Sequence, residues 1–73
     1  MEKLKDIVAR VFEISKDEVT DELTYDTIEK WDSFAHMLLI TEIEKDMGIE
    51  FTIFEIEQAR TFKVLREIVS RKL

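Results

Sequence analysis

The chain has no cysteine, no proline, one glycine (Gly48) and one histidine (His36). Without cysteine there is no disulfide framework and no thiolate metal site. A lone histidine does not make a zinc centre unless carboxylates supply the other ligands. With no proline and one glycine, the residues that build tight turns and hairpins are almost absent, which argues against an all-β fold. No apolar run approaches the roughly 20 residues of a membrane span, and the opening MEKLKDIVARVF has no cleavable hydrophobic region. A soluble, cytoplasmic protein is expected, with no membrane span.

At 73 residues the chain has room for one domain, spanning 1–73. A domain this small buries only about 60% of the surface its unfolded form exposes, so modest stability is expected. The net charge is −6, and its distribution is uneven. From Glu13 to Glu57 there are 14 acidic residues against three basic ones, Lys16, Lys30 and Lys45. The segments on either side are net positive. A strongly negative middle repels phosphate backbones and suits basic partners, so nucleic acid is not expected to bind.

Leu4, Ile7, Val8, Val11 and Phe12 carry the i, i+3, i+4, i+7, i+8 spacing of an amphipathic helix ending near Ile14. Ser15 to Glu18 has the S-x-x-E spacing of a capping box, which predicts one short helical turn. Residues 20–32 show no sustained period and read as a long loop pinned to the core by Leu23, Tyr25, Ile28 and Trp31. A loop of that length in so small a domain points to function.

Asp32 then reads as the N-cap of a helix running to about Met47 and stopping at Gly48. His36, Leu39, Ile40, Ile43 and Met47 share one face, the core face. Phe34, Met37, Leu38 and Thr41 share the opposite face, continuing toward Glu44 and Lys45. A helix with two apolar faces in a chain with few helices needs an explanation. Either the loop covers Phe34, Met37 and Leu38, or they are exposed to a partner. Thr52 and Glu55 form a second capping box opening a short helix to about Gln58. Thr61 caps a last helix with a stripe of Phe62, Leu65, Ile68, Val69 and Leu73. The expected fold is all-α: a small antiparallel bundle of three main helices plus one short helix, with a long loop between the first and second.

Ser33 sits in the first turn of the second helix, where free backbone N–H groups and the positive dipole end favour an attached phosphate. Asp32, Ser33 and His36 superficially supply triad chemistry. Asp32 and Ser33 nevertheless diverge by about 100° around the helix, and His36 projects to the core side, so hydrolysis is not expected and no catalytic residue is assigned.

The segment Trp31-Asp32-Ser33-Phe34-Ala35-His36-Met37 resembles the Asp-Ser-Leu attachment motif of acyl carrier proteins, with Phe34 in the place of Leu. The likeness extends over nearly the whole chain. Asp17-Glu18-Val19-Thr20 leads the loop, Glu44-Lys45-Asp46-Met47 ends the second helix, Glu50-Phe51 follows, and Thr61-Phe62 opens the last helix. The resemblance implies a carrier rather than an enzyme, with 4′-phosphopantetheine taken from coenzyme A and placed on Ser33 by a phosphopantetheinyl transferase. The thiol of that arm would hold acyl groups as thioesters for fatty acid, polyketide or related specialised biosynthesis. Acyl-loading and acyl-processing enzymes with basic docking surfaces would meet the second helix at Asp32, Phe34, Met37, Leu38, Thr41 and Glu44. The core between the helices would shelter a short acyl chain, and the protein would be a monomer. Ala35 and Leu38 stand where fatty-acid carriers usually present acids, and Lys30 and Trp31 where a small residue commonly precedes Asp-Ser. With both departures, a specialised carrier fits at least as well as a general fatty-acid one. The alternative is an unmodified helical adaptor that binds a protein through Phe34, Met37 and Leu38.

Overall fold

A computed structural model of the chain describes residues 2–73. The elements run α1 (Glu2–Phe12), a 3₁₀ turn (Lys16–Glu18), α2 (Ser33–Met47), α3 (Ile53–Gln58) and α4 (Phe62–Lys72). This is the expected bundle of three main helices and one short one.

Helix α1 buries Leu4, Ile7, Val8 and Phe12, the stripe its spacing predicts. It stops two residues before Ile14. Glu13 adopts a left-handed φ of 56°, and the Ile14 N–H reaches back to the Ala9 carbonyl at 3.1 Å. That 6→1 bond is the mark of a Schellman stop, here built without the usual glycine. The Ser15 N–H donates to Glu18 Oε1 at 3.0 Å, which sets the 3₁₀ turn.

The long loop is held from three sides. Leu23 and Trp31 are buried, while Tyr25 and Ile28 are half-buried against the core. An isolated antiparallel bridge joins Thr24 to Thr61. The Tyr25 N–H donates to the Arg60 carbonyl at 2.8 Å, and the Phe62 N–H to that of Leu23 at 2.9 Å. No sequence pattern announced this bridge, which fastens the loop to the start of α4.

Asp32 caps α2 as expected, its Oδ1 accepting the Ala35 N–H at 2.8 Å. Gly48 ends the helix at φ 68°, a conformation that favours glycine. His36, Leu39, Ile40 and Ile43 are buried on the core face, with Met47 half-buried. Thr52 and Glu55 form their capping box over α3, and Thr61 caps α4. In α4, Phe62, Leu65, Ile68 and Val69 are buried, but Leu73 is 69% exposed. It lies just past the last helical residue, where the stripe no longer faces the core. At the centre of the bundle Trp31 packs on Phe12, with ring centroids 5.0 Å apart.

Candidate functional site

Three segments converge on Ser33: the long loop, the first turn of α2, and the link between α3 and α4. Ser33 is exposed, and its Oγ lies 3.2 Å from the hydroxyl of Tyr25. Tyr25 is placed there by its backbone bond to Arg60, and Arg60 lays its guanidinium over the Tyr25 ring, 4.6 Å from the centroid. Beside Ser33 opens a cleft of about 200 Å³, walled by the apolar Met37 and Ile56 together with His36, Tyr25, Glu57 and Arg60.

His36 is fully committed. Indole Nε1–H can only donate, so the 2.9 Å contact from Trp31 makes His36 Nδ1 an acceptor. The ring proton is then on Nε2, which donates to the Ile56 carbonyl at 2.8 Å. Neither ring nitrogen retains a lone pair to accept the Ser33 proton. Asp32 is engaged in capping, so the three residues do not assemble as a triad. Trp31 itself is buried and packs against His36.

On the outer face of α2, Phe34 is 79%, Met37 50% and Leu38 40% exposed, and the loop does not cover them. Thr41 is exposed beside them, its Oγ1 bonded back to the Met37 carbonyl at 2.9 Å. Glu44 follows Thr41 one turn on and lines a groove with it. It is half-buried, and its Oε2 accepts the Phe51 N–H at 2.8 Å, so its carboxylate braces the α2–α3 connection. Sequence reasoning missed the pairing of Tyr25 with Arg60, 35 residues apart and brought together next to the Thr24–Thr61 bridge. It also missed Ile53 and Phe54, both exposed at the start of α3. Two adjacent apolar residues opening a six-residue helix were a usable signal, because so short a helix cannot bury both.

Among the described residues no helix is long and apolar enough to cross a membrane, and no cluster of three or more potential metal ligands occurs. Neither the protein-family models nor the curated proteins compared with the chain give a match. Among solved structures, the chain is similar to the holo acyl carrier protein from Geobacter metallireducens, determined by solution NMR. The two are 30% identical and superpose with a TM-score of 0.86, over 96% of this chain and 80% of that one. At that identity and coverage, with an all-helical fold, the chain belongs to the acyl carrier protein family and is a carrier, not a catalyst.

Proposed function

We propose that Ser33 is the attachment point of a 4′-phosphopantetheine arm, delivered from coenzyme A by a phosphopantetheinyl transferase. The observation that carries this is an exposed serine hydroxyl at the first position of α2 with no base poised to activate it. Such a group is a substrate for another enzyme rather than a nucleophile in its own right. The surroundings fit the arm: helix N–H groups for the phosphate, a guanidinium at the cleft edge, and the apolar walls of Met37 and Ile56. When bound, the arm supplies a thiol that holds acyl groups as thioesters.

The cargo pathway is fatty acid, polyketide or related specialised biosynthesis in the cytoplasm, and the specialised case is favoured. Leu38 is solvent-exposed on the outer face of α2, so the docking surface there is apolar where a general fatty-acid carrier presents acids. Partner enzymes would read Asp32, Phe34, Met37, Leu38, Thr41 and Glu44, with basic side chains meeting the acidic surroundings and an apolar recess taking Phe34. At that interface the carrier acts as a monomer. Intact mass after incubation with coenzyme A and a broad-specificity transferase tests the assignment. A gain of one phosphopantetheine, abolished by Ser33→Ala, supports it. An unchanged mass on folded protein with a competent transferase refutes it and leaves the adaptor that binds through Phe34, Met37 and Leu38.

A further inference from the structure

Arg60 lines the Ser33 cleft. Its Nε donates to the Glu57 carbonyl at 3.3 Å and its plane rests on Tyr25, yet among the described residues it makes no ion pair. Both terminal nitrogens therefore remain free to bond elsewhere. Arg10, Lys16, Lys30, Arg66 and Lys72 each hold a carboxylate, while Lys3, Lys5, Lys45, Lys63 and Arg71 resemble Arg60 in holding none among the described residues, so it is position that distinguishes Arg60. Of the residues around the Ser33 cleft, Arg60 is the only cation, since His36 is held as the neutral Nε2–H tautomer.

Resting on the assignment of Ser33 made above, we propose that Arg60 and Tyr25 form a receiving site for the phosphodiester on Ser33, fixing the first part of the arm against the cleft. The chemistry of the hydroxyl pair supports this. In the free protein either oxygen of the Tyr25–Ser33 contact can donate. Once Oγ is esterified it has no proton, so only the phenol can donate, to Oγ or to a phosphoryl oxygen. The phosphodiester brings one negative charge close to Asp32 and Glu57, in the most acidic stretch of the chain. A planar guanidinium is suited to phosphate oxygens, which it can grip through two parallel N–H bonds. Arg60 is also pre-positioned. The Thr24–Thr61 bridge fixes its backbone, and the ring and the Glu57 carbonyl restrain its side chain.

The test compares apo and fully loaded protein, with loading read by intact mass. In the wild type, loading should move the Arg60 Nε–H resonance and shift the ³¹P resonance away from that of free phosphopantetheine. The loaded form should also melt higher than the apo form. In Arg60→Gln the ³¹P shift should return toward the free value and the melting gain should fall by at least half. Tyr25→Phe, which keeps the ring under Arg60, should lose part of both. Circular dichroism of the apo variants separates folding defects from loss of the contact. Complete loading with an unmoved Arg60 Nε–H resonance overturns the proposal while leaving Ser33 as the attachment site. So does a ³¹P shift that persists in both variants. Absence of any mass gain in the wild type overturns the Ser33 assignment and this proposal with it.

Discussion

Replacing His36 with leucine should be among the most damaging single changes at the site, although the protein is no enzyme. The side chain is only 7% exposed and spans two bonds, 2.9 Å from Trp31 Nε1 and 2.8 Å to the Ile56 carbonyl. Leucine fills much of the volume and forms neither. The Ile56 carbonyl belongs to a half-buried residue lining the cleft, so that loss amounts to about 0.5–1 kcal/mol. The Trp31 N–H is different. Its residue is 1% exposed, so the orphaned donor carries a penalty of about 1–3 kcal/mol. Added burial of the leucine offsets a fraction, leaving a net loss of about 2–3 kcal/mol. A 73-residue domain has on the order of 4–11 kcal/mol in all. At about 4–8 °C per kcal/mol, the melting temperature should fall by about 10–20 °C. The double variant with Trp31→Phe removes the orphan. It should be less destabilised than the sum of the singles by about 1–2 kcal/mol. A His36→Leu protein that melts within about 2 °C of the wild type, or strict additivity in the cycle, would refute the reasoning.

Four further outcomes are expected. Glu13→Gly should raise stability by about 1 kcal/mol in a thermal melt, because it relieves a left-handed residue and removes an acid at a helix C-terminus. Leu38→Glu should fold, with at most about 1 kcal/mol lost, whereas Ile43→Glu, fully buried on the opposite face, should abolish the helical circular dichroism. The Thr52 N–H and then Lys72 hold the Glu55 carboxyl below glutamate's ordinary value of 4.5, so the stability it adds is present above that value and lost as pH falls through the lowered one. Glu55→Gln should accordingly show a shallower fall of melting temperature on acidification than the wild type. Monovalent salt should raise the melting temperature by screening the acidic middle, and a divalent cation bridging carboxylates there should raise it as well.

Much of this fold was legible because helices announce themselves through a 3.6-residue period and through their caps. Ser15, Asp32, Thr52 and Thr61 were each identified as starts from one polar residue and its neighbours, and each stands directly before a helical element. The two faces of α2 were legible for the same reason. The inner face is buried at His36, Leu39, Ile40 and Ile43, and the outer one is exposed at Phe34. What escaped were contacts between segments remote in sequence. Tyr25 reads as one more apolar anchor until the Thr24–Thr61 bridge sets it beside Arg60 and Ser33. Glu44 reads as a surface acid until the backbone after Gly48 turns back and presents the Phe51 N–H. The end of α1 was misplaced because a left-handed glutamate gives no signal of the kind glycine gives.

Trp31 is the protein's single tryptophan, and its indole N–H donates into the ring that in turn holds α3 at Ile56. The molecule therefore contains one native fluorophore wired to the junction between its second and third helices. Anything that draws α3 away from α2 must first loosen His36 from Ile56, and the change is passed to the environment of the indole N–H, to which tryptophan emission responds. Cargo arriving on the arm or a partner seizing Phe34 could each be followed by emission wavelength in unlabelled protein. The same residue that fills the middle of the bundle thus serves the experimenter as a built-in gauge of whether the bundle is closed.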